Sequence, residues 1–209
     1  MKTILRLLTV AAFLLGSASV SSANLITNGS FEDVPSPFTR GGGTWDLYAS
    51  IPGWAAGVDL IEIGLGGVYG VSGFDGANVL ELDANHNATV SQIVATPGGD
   101  YTLSFLFADR ASVASSSASF QVYWNSDLVA NISPTLTSMT LFSLQVTANA
   151  NNTLTFKGTG TDDSYGAIID KVELNSLKVN PNAVPDGGLT SALLGLSIVG
   201  LGVIRRIVV

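Results

Sequence analysis

The side chains able to do chemistry in this sequence are few, and most are carboxylates. His86 is the sole histidine and stands in the polar turn Asp83-Ala84-Asn85-His86-Asn87; one imidazole without other strong ligands does not make a zinc site. Cysteine is absent, which removes thiol nucleophiles and thiolate-bound metals. No serine sits in a G-x-S-x-G turn. Glu62 and Glu81 are a carboxylate pair that could in principle serve a glycosidase, but acidic residues at alternating strand positions are read more simply as solvated faces. The sequence therefore predicts a protein that is not an enzyme. For recognition, the rings of Trp45, Tyr48, Trp54, Tyr69, Phe74 and Trp124 could stack on sugar faces beside polar groups that meet the hydroxyls. Trp54 follows the Pro52-Gly53 turn and is expected to plug the core, and Trp124 to lie at core or rim. Trp45, Tyr48, Tyr69 and Phe74 are the candidates for ligand binding.

The elements that must position these groups read as strands. Apolar and polar residues alternate over 25–31, 58–63, 78–83, 88–95, 101–107, 119–124, 140–147, 153–157 and 167–174, with turn-rich separators such as Pro97-Gly98-Gly99-Asp100. No segment of 10–15 residues carries a helical period to serve as a crossover, so the strands must pack antiparallel and face to face, as a jelly-roll β-sandwich. The Pro- and Gly-rich stretch 35–43 and the serine-rich stretch 111–119 read as long surface loops, the usual carriers of binding groups.

The two ends predict export. Lys2 and Arg6, the apolar run 7–15 and the small residues Ser21-Ser22-Ala23 have the order of a secretory signal peptide over 1–23. The sandwich domain is expected over 24–180 and a tail over 181–209. In the tail, Val184-Pro185-Asp186-Gly187-Gly188 precedes an apolar run over 189–204, and Arg205 and Arg206 follow as a membrane stop. As a helix that run would span about 24 Å, a short transmembrane helix suited to a thin bilayer, with the arginines on the cytoplasmic side. The tail resembles the PEP-CTERM class of sorting signals in its VPDGG variant. That resemblance implies cleavage by an exosortase-type membrane protease and delivery to the cell surface or extracellular matrix. The tip Ile207-Val208-Val209 departs from the basic ending usual in the class.

Between Asn24 and Val184 there are 5 basic and 15 acidic residues. Such a balance repels phosphate backbones and excludes nucleic acid as a partner, while suiting a divalent cation or simple solubility.

The opening Asn24-Leu25-Ile26-Thr27-Asn28-Gly29-Ser30-Phe31-Glu32 resembles the start of the choice-of-anchor C family and of the related domain-of-unknown-function 642 family. Matching landmarks follow in order: Pro52-Gly53-Trp54, Val58-Asp59-Leu60-Ile61-Glu62, Gly76-Ala77-Asn78-Val79-Leu80-Glu81-Leu82, Ser91-Gln92-Ile93-Val94, Tyr101-Thr102-Leu103-Ser104-Phe105 and Ile169-Asp170-Lys171-Val172-Glu173-Leu174. The resemblance implies a galactose-binding-like sandwich whose first and last strands are neighbours. Glu32 and Asp170 would then face one another and could hold a structural Ca²⁺, or each could merely accept backbone hydrogen bonds; Asp162 and Asp163 are weaker candidates. It further implies a non-catalytic domain that binds or embeds in extracellular polysaccharide. The alternatives are a structural matrix or adhesion protein without a glycan ligand and, least favoured, a glycoside-active enzyme.

Overall fold

Alternation of small, branched and aromatic side chains builds every long strand. In Thr89–Ala95 the residues Val90, Gln92 and Val94 point inward, and in Phe120–Trp124 the rings of Phe120 and Trp124 flank Val122 on the inner face. The computed structural model describes residues 23–35 and 37–177. The expected signal peptide, the sorting motif Val184–Gly188, the apolar run 189–204 and the stop Arg205 and Arg206 lie outside the described residues.

Among the described residues, twelve strands form two six-stranded antiparallel sheets. The first runs in the order β1 (Trp45–Tyr48), β4 (Ile61–Leu65), β5 (Asn78–Glu81), β12 (Ile168–Ser176), β7 (Gly99–Ala108), β10 (Thr140–Ala148). The second runs β2 (Ser50–Ile51), β3 (Trp54–Ala56), β6 (Thr89–Ala95), β11 (Asn151–Gly158), β8 (Phe120–Trp124), β9 (Asp127–Ile132). Successive strands from β5 to β8 and from β9 to β12 change sheet at each step, so both sheets are assembled from distant sequence. The only helical pieces among the described residues are the 3-10 turns Gly66–Tyr69 and Ser115–Ala118.

The core between the sheets is aromatic. Phe105 meets Phe156 edge-on at 5.1 Å, and Trp54, 1% exposed, packs on Phe31 and Phe156 at 5.4 and 6.0 Å. Each such pair adds about 0.5–1.5 kcal/mol beyond the area it buries. The indole of Trp54 also donates to the carbonyl of Asn28 at 3.1 Å, which satisfies its one polar atom.

The expected first strand over 25–31 is not one. Residues 27–31 turn, and Asn28 and Phe31 adopt left-handed φ angles of 51° and 57°. The segment nevertheless lies along β12: Leu25 donates to the Leu174 carbonyl at 3.1 Å and Val172 to the Gly29 carbonyl at 2.8 Å. Gly29 comes so close that a Cβ there would collide with the Val172 carbonyl. On the β12 side the approach coincides with a bulge between Asp170 and Glu173, where Lys171 has φ 47°.

Candidate functional site

The site begins with strand register. Trp45 lies opposite Gly64, Glu62 opposite Glu81, and Gly64 opposite Val79. These residues therefore share the outer face of the first sheet, away from Ile61, Ile63 and Leu80 in the core. An outer face would ordinarily be wet. Here the segment 66–77 folds back over it, and Tyr69 and Val71 join Val79, Ala108 and Ile168 in a second apolar cluster. Gly64 makes this possible, because a Cβ at that position would strike the Tyr69 hydroxyl and stand 2.7 Å from the Trp45 Cβ.

That cover overturns the reading of Glu62 and Glu81 as solvated. Glu62 is 5% exposed and Glu81 fully buried, and Asp83 is buried beside them. Register places both on the outer face; strand alternation carries no sign of the loop that closes over that face.

Their hydrogen bonds differ. Glu81 accepts from the backbone N–H of Gly166 through Oε1 and from that of Asp83 through Oε2 at 2.8 Å, and Nη1 of Arg110 stands 3.5 Å from Oε1. Glu62 accepts one bond, from the Tyr69 hydroxyl to Oε1 at 2.9 Å. Asp83 takes the N–H groups of Asp163 and Ser164, both at 3.1 Å, through Oδ2. The Arg110 guanidinium lies over two rings, 5.0 Å from the centroid of Tyr69 and 4.6 Å from that of Tyr165.

Two buried carboxylates set directly opposite, with one guanidinium beside Glu81, resist double ionisation. Burial pushes Glu62 up to about 7, and burial together with the charge of Glu62 pushes Glu81 up to about 8. The pair titrates as a unit. Two backbone donors and Arg110 favour the anion on Glu81, while the Tyr69 hydroxyl favours it on Glu62, so the proton belongs to the pair. Burial and Glu62 also push the Tyr69 hydroxyl upward, which keeps it a donor.

Above this pair is an open cleft of about 230 Å³, lined by Trp45, Glu62, Tyr69, Arg110, Ser164 and Tyr165 among others. A shallower depression of about 400 Å³ shares Tyr69, Arg110 and Tyr165 and continues toward Val113. Tyr165 is 42% exposed and presents a ring to solvent.

Of the four ring candidates, the structure brings Trp45 and Tyr69 together at this cleft. Tyr48 is turned elsewhere: it packs on the main core and donates to the Pro35 carbonyl at 2.9 Å. Phe74 packs against the second apolar cluster and fills the space beside Gly66. Sequence reasoning passed over Arg110 and Tyr165. They stand in the loops after β7 and before β12, and a signal existed in Asp109-Arg110, a charged pair abruptly ending an apolar strand.

Glu32 and Asp170 are also neighbours in effect. Oε1 of Glu32 accepts from Ala77 and Asn78, both at 2.7 Å, while Asp170 accepts from Asp75 and from Lys171, both at 2.6 Å. Asp170 is fully buried; burial first, then the charges of Asp75 and Glu32, push it up to about 7. Uncompensated negative charge on hard oxygen donors suits a divalent cation. Among the described residues no three carboxylate or imidazole side chains form a ready cage, so a cation there would need backbone carbonyls and water as further ligands. His86 lies apart, exposed, with Nδ1 3.2 Å from the Asp162 carboxylate, and Asp163 accepts from the Ser117 hydroxyl at 2.8 Å.

Comparison with known proteins gives a family and distant likenesses. The family described as "Protein of unknown function (DUF642)" matches residues 24–175. A multifunctional-autoprocessing repeats-in-toxin of Vibrio cholerae is 34% identical over 163 residues, 76% of this chain and 3% of the toxin. Its counterpart in Vibrio vulnificus is 36% identical over 166 residues, again 3% of that protein. The chain thus spans a small fraction of the curated relatives it matches. Among solved structures, CBM35 from Paenibacillus barcinonensis aligns with a TM-score of 0.42 and 17% identity over 64% of this chain and 99% of that one. A family 35 carbohydrate binding module from Clostridium thermocellum aligns with a TM-score of 0.40 and 14% identity over 62% of this chain and 90% of that one.

Proposed function

This chain belongs to the DUF642 family, and from that premise we propose that it is an exported, non-catalytic binding domain that holds extracellular polysaccharide in the cleft above Glu62. The observation that carries the reading is the lining of the cleft: Trp45, Tyr69 and Tyr165 around Arg110, Ser164 and Glu62. Flat rings with a few fixed polar groups are what a sugar needs, since its ring faces are apolar and its hydroxyls demand partners. Catalysis has less support. A glycosidase needs one carboxyl free to give a proton and another free to attack, whereas Glu81 is fully buried and engaged by Gly166, Asp83 and Arg110.

A glycan array probed with the full chain tests this. We expect binding to at least one polysaccharide class, weakened about fivefold in Trp45→Ala by loss of a stacking face worth about 1 kcal/mol. Uniform absence of binding would favour the rival reading of a structural matrix or adhesion protein.

Calcium at Glu32 and Asp170 belongs to the same proposal, as a structural ion joining the opening segment to β12. So do export by the signal peptide over 1–23 and surface sorting by the VPDGG-type tail through an exosortase-type protease. Mass spectrometry of the surface-bound product from cells carrying that protease should show a chain that has lost residues 1–23 and the segment beyond the motif. Recovery from cytosol with Met1 attached would sink the export reading.

A further inference from the structure

Glu62 is the one buried acid in the cleft whose bonding is incomplete. Its Oε1 takes the Tyr69 hydroxyl, while Oε2 accepts no hydrogen bond among the described residues. The side chain is 5% exposed and lines the cleft, so that oxygen can be met only from inside the site. The charged groups around it do not balance. Around Glu62 stand the carboxyls of Glu81 and Asp83 and the guanidinium groups of Arg110 and Arg40; with all three carboxyls ionised, one negative charge is left over. Arg40 is also drawn away, since it pairs with Asp46 at 3.3 Å and lies over the Trp45 ring at 5.6 Å. Arg110 is already engaged by Glu81 and by the rings of Tyr69 and Tyr165, so its charge does not make the cleft a site for an acid. An acidic sugar would enter a net negative site in a domain with 15 acidic and 5 basic residues.

Resting on the glycan-binding reading above, we propose that the sugar taken by this cleft is an amino sugar, with its protonated amine seated on Oε2 of Glu62 and its ring beside Trp45 and Tyr165. The ammonium supplies the missing positive charge and takes the place of the proton that the Glu62–Glu81 pair otherwise keeps. A charge-assisted bond to a nearly buried carboxylate is strong and little screened by salt.

The test is titration calorimetry of the full chain with a fully deacetylated glucosamine tetrasaccharide and with its N-acetylated counterpart, near neutral pH. The amine form is expected to bind at least about tenfold more tightly. In Glu62→Gln, which keeps an acceptor for Tyr69, that preference should vanish while the fold melts no earlier than wild type. Glu62→Asp, which keeps the charge but draws it back, should retain the preference in weaker form. Equal binding of the two sugars, or a preference that survives Glu62→Gln, overturns the proposal and leaves the glycan reading standing. Failure of both sugars to bind also overturns it; the array then decides the broader reading separately, since any other bound glycan preserves it and none removes it.

Discussion

Replacing Arg110 with methionine is expected to destabilise the domain by about 3 kcal/mol, the lower end of what breaking a buried ion pair costs. Glu81 has no water to turn to, being fully buried, and the rings of Tyr69 and Tyr165 lose the cation that lies over them. The loss stays at the lower end because Glu81 retains the N–H groups of Gly166 and Asp83 and can take up a proton once the guanidinium is gone. For a domain of this size the melting temperature should fall by roughly 6–12 °C. Arg110→Lys keeps the charge without the planar group that lies over the two rings, and should fall in between. The deficit should shrink in acid, where the carboxyl pair is protonated in both proteins. A melt of Arg110→Met within about 1 °C of wild type at neutral pH would show that the guanidinium is only a surface group.

The strands whose two faces differ in solvent contact were legible in the sequence. Thr89–Ala95, Gly99–Ala108, Phe120–Trp124 and Asn151–Gly158 show period-two burial, and the expectations over 88–95, 101–107, 119–124 and 153–157 fall on them. Trp54 is in the core, as its Pro-Gly turn suggested. The short strands were not legible. Trp45–Tyr48 is half-buried throughout, so no alternation marks it. Asp127–Ile132 pairs with β8 through a turn in which Asn125 adopts φ 59°, a hairpin signal visible only as a lone asparagine. The segment 25–31 alternates like a strand, yet its hydrogen bonds to β12 are spaced by turns at Asn28 and Phe31.

The candidate site was half legible for a related reason. Trp45 and Tyr69 could be named from ring chemistry, but the burial of Glu62 and Glu81 is a tertiary event. It depends on the segment 66–77 closing over a sheet face, on Gly64 leaving room for the Tyr69 hydroxyl, and on Arg110 arriving from the loop after β7. No local pattern encodes three distant segments meeting. The acidic excess hinted at it, since 15 acids on one domain leave some with unusual surroundings.

Those surroundings fix how stability should depend on pH. Glu62 moves from 4.5 to about 7, Glu81 from 4.5 to about 8 and Asp170 from 3.8 to about 7. A carboxyl whose folded value is raised binds its proton more tightly in the folded state than in the unfolded one. Its contribution is therefore complete below the unfolded value and is lost as pH rises through the folded value. The window runs from about 3.8 to 8, and the domain should melt lower at about pH 8.5 than at about pH 5.5 when a chelator is present. Each raised unit is worth about 1.4 kcal/mol, but the pair is coupled, so about 3 kcal/mol, or roughly 6–12 °C, is the expected fall. Asp46 and Asp59 are held below their usual range, Asp46 chiefly by the Thr39 hydroxyl and Asp59, against its burial, by the N–H groups of Asn85 and His86; they weaken the fold only in stronger acid, outside this window. Glu62→Gln should flatten most of the slope, because a neutral side chain there lets Glu81 ionise beside Arg110 alone. Calcium should remove a further part by replacing the proton on Asp170, raising the melt most at high pH. A melting temperature that is level or rises between those two pH values in chelator would mean the two glutamates are not buried together. A melt indifferent to calcium at the upper pH would remove the ion from Glu32 and Asp170.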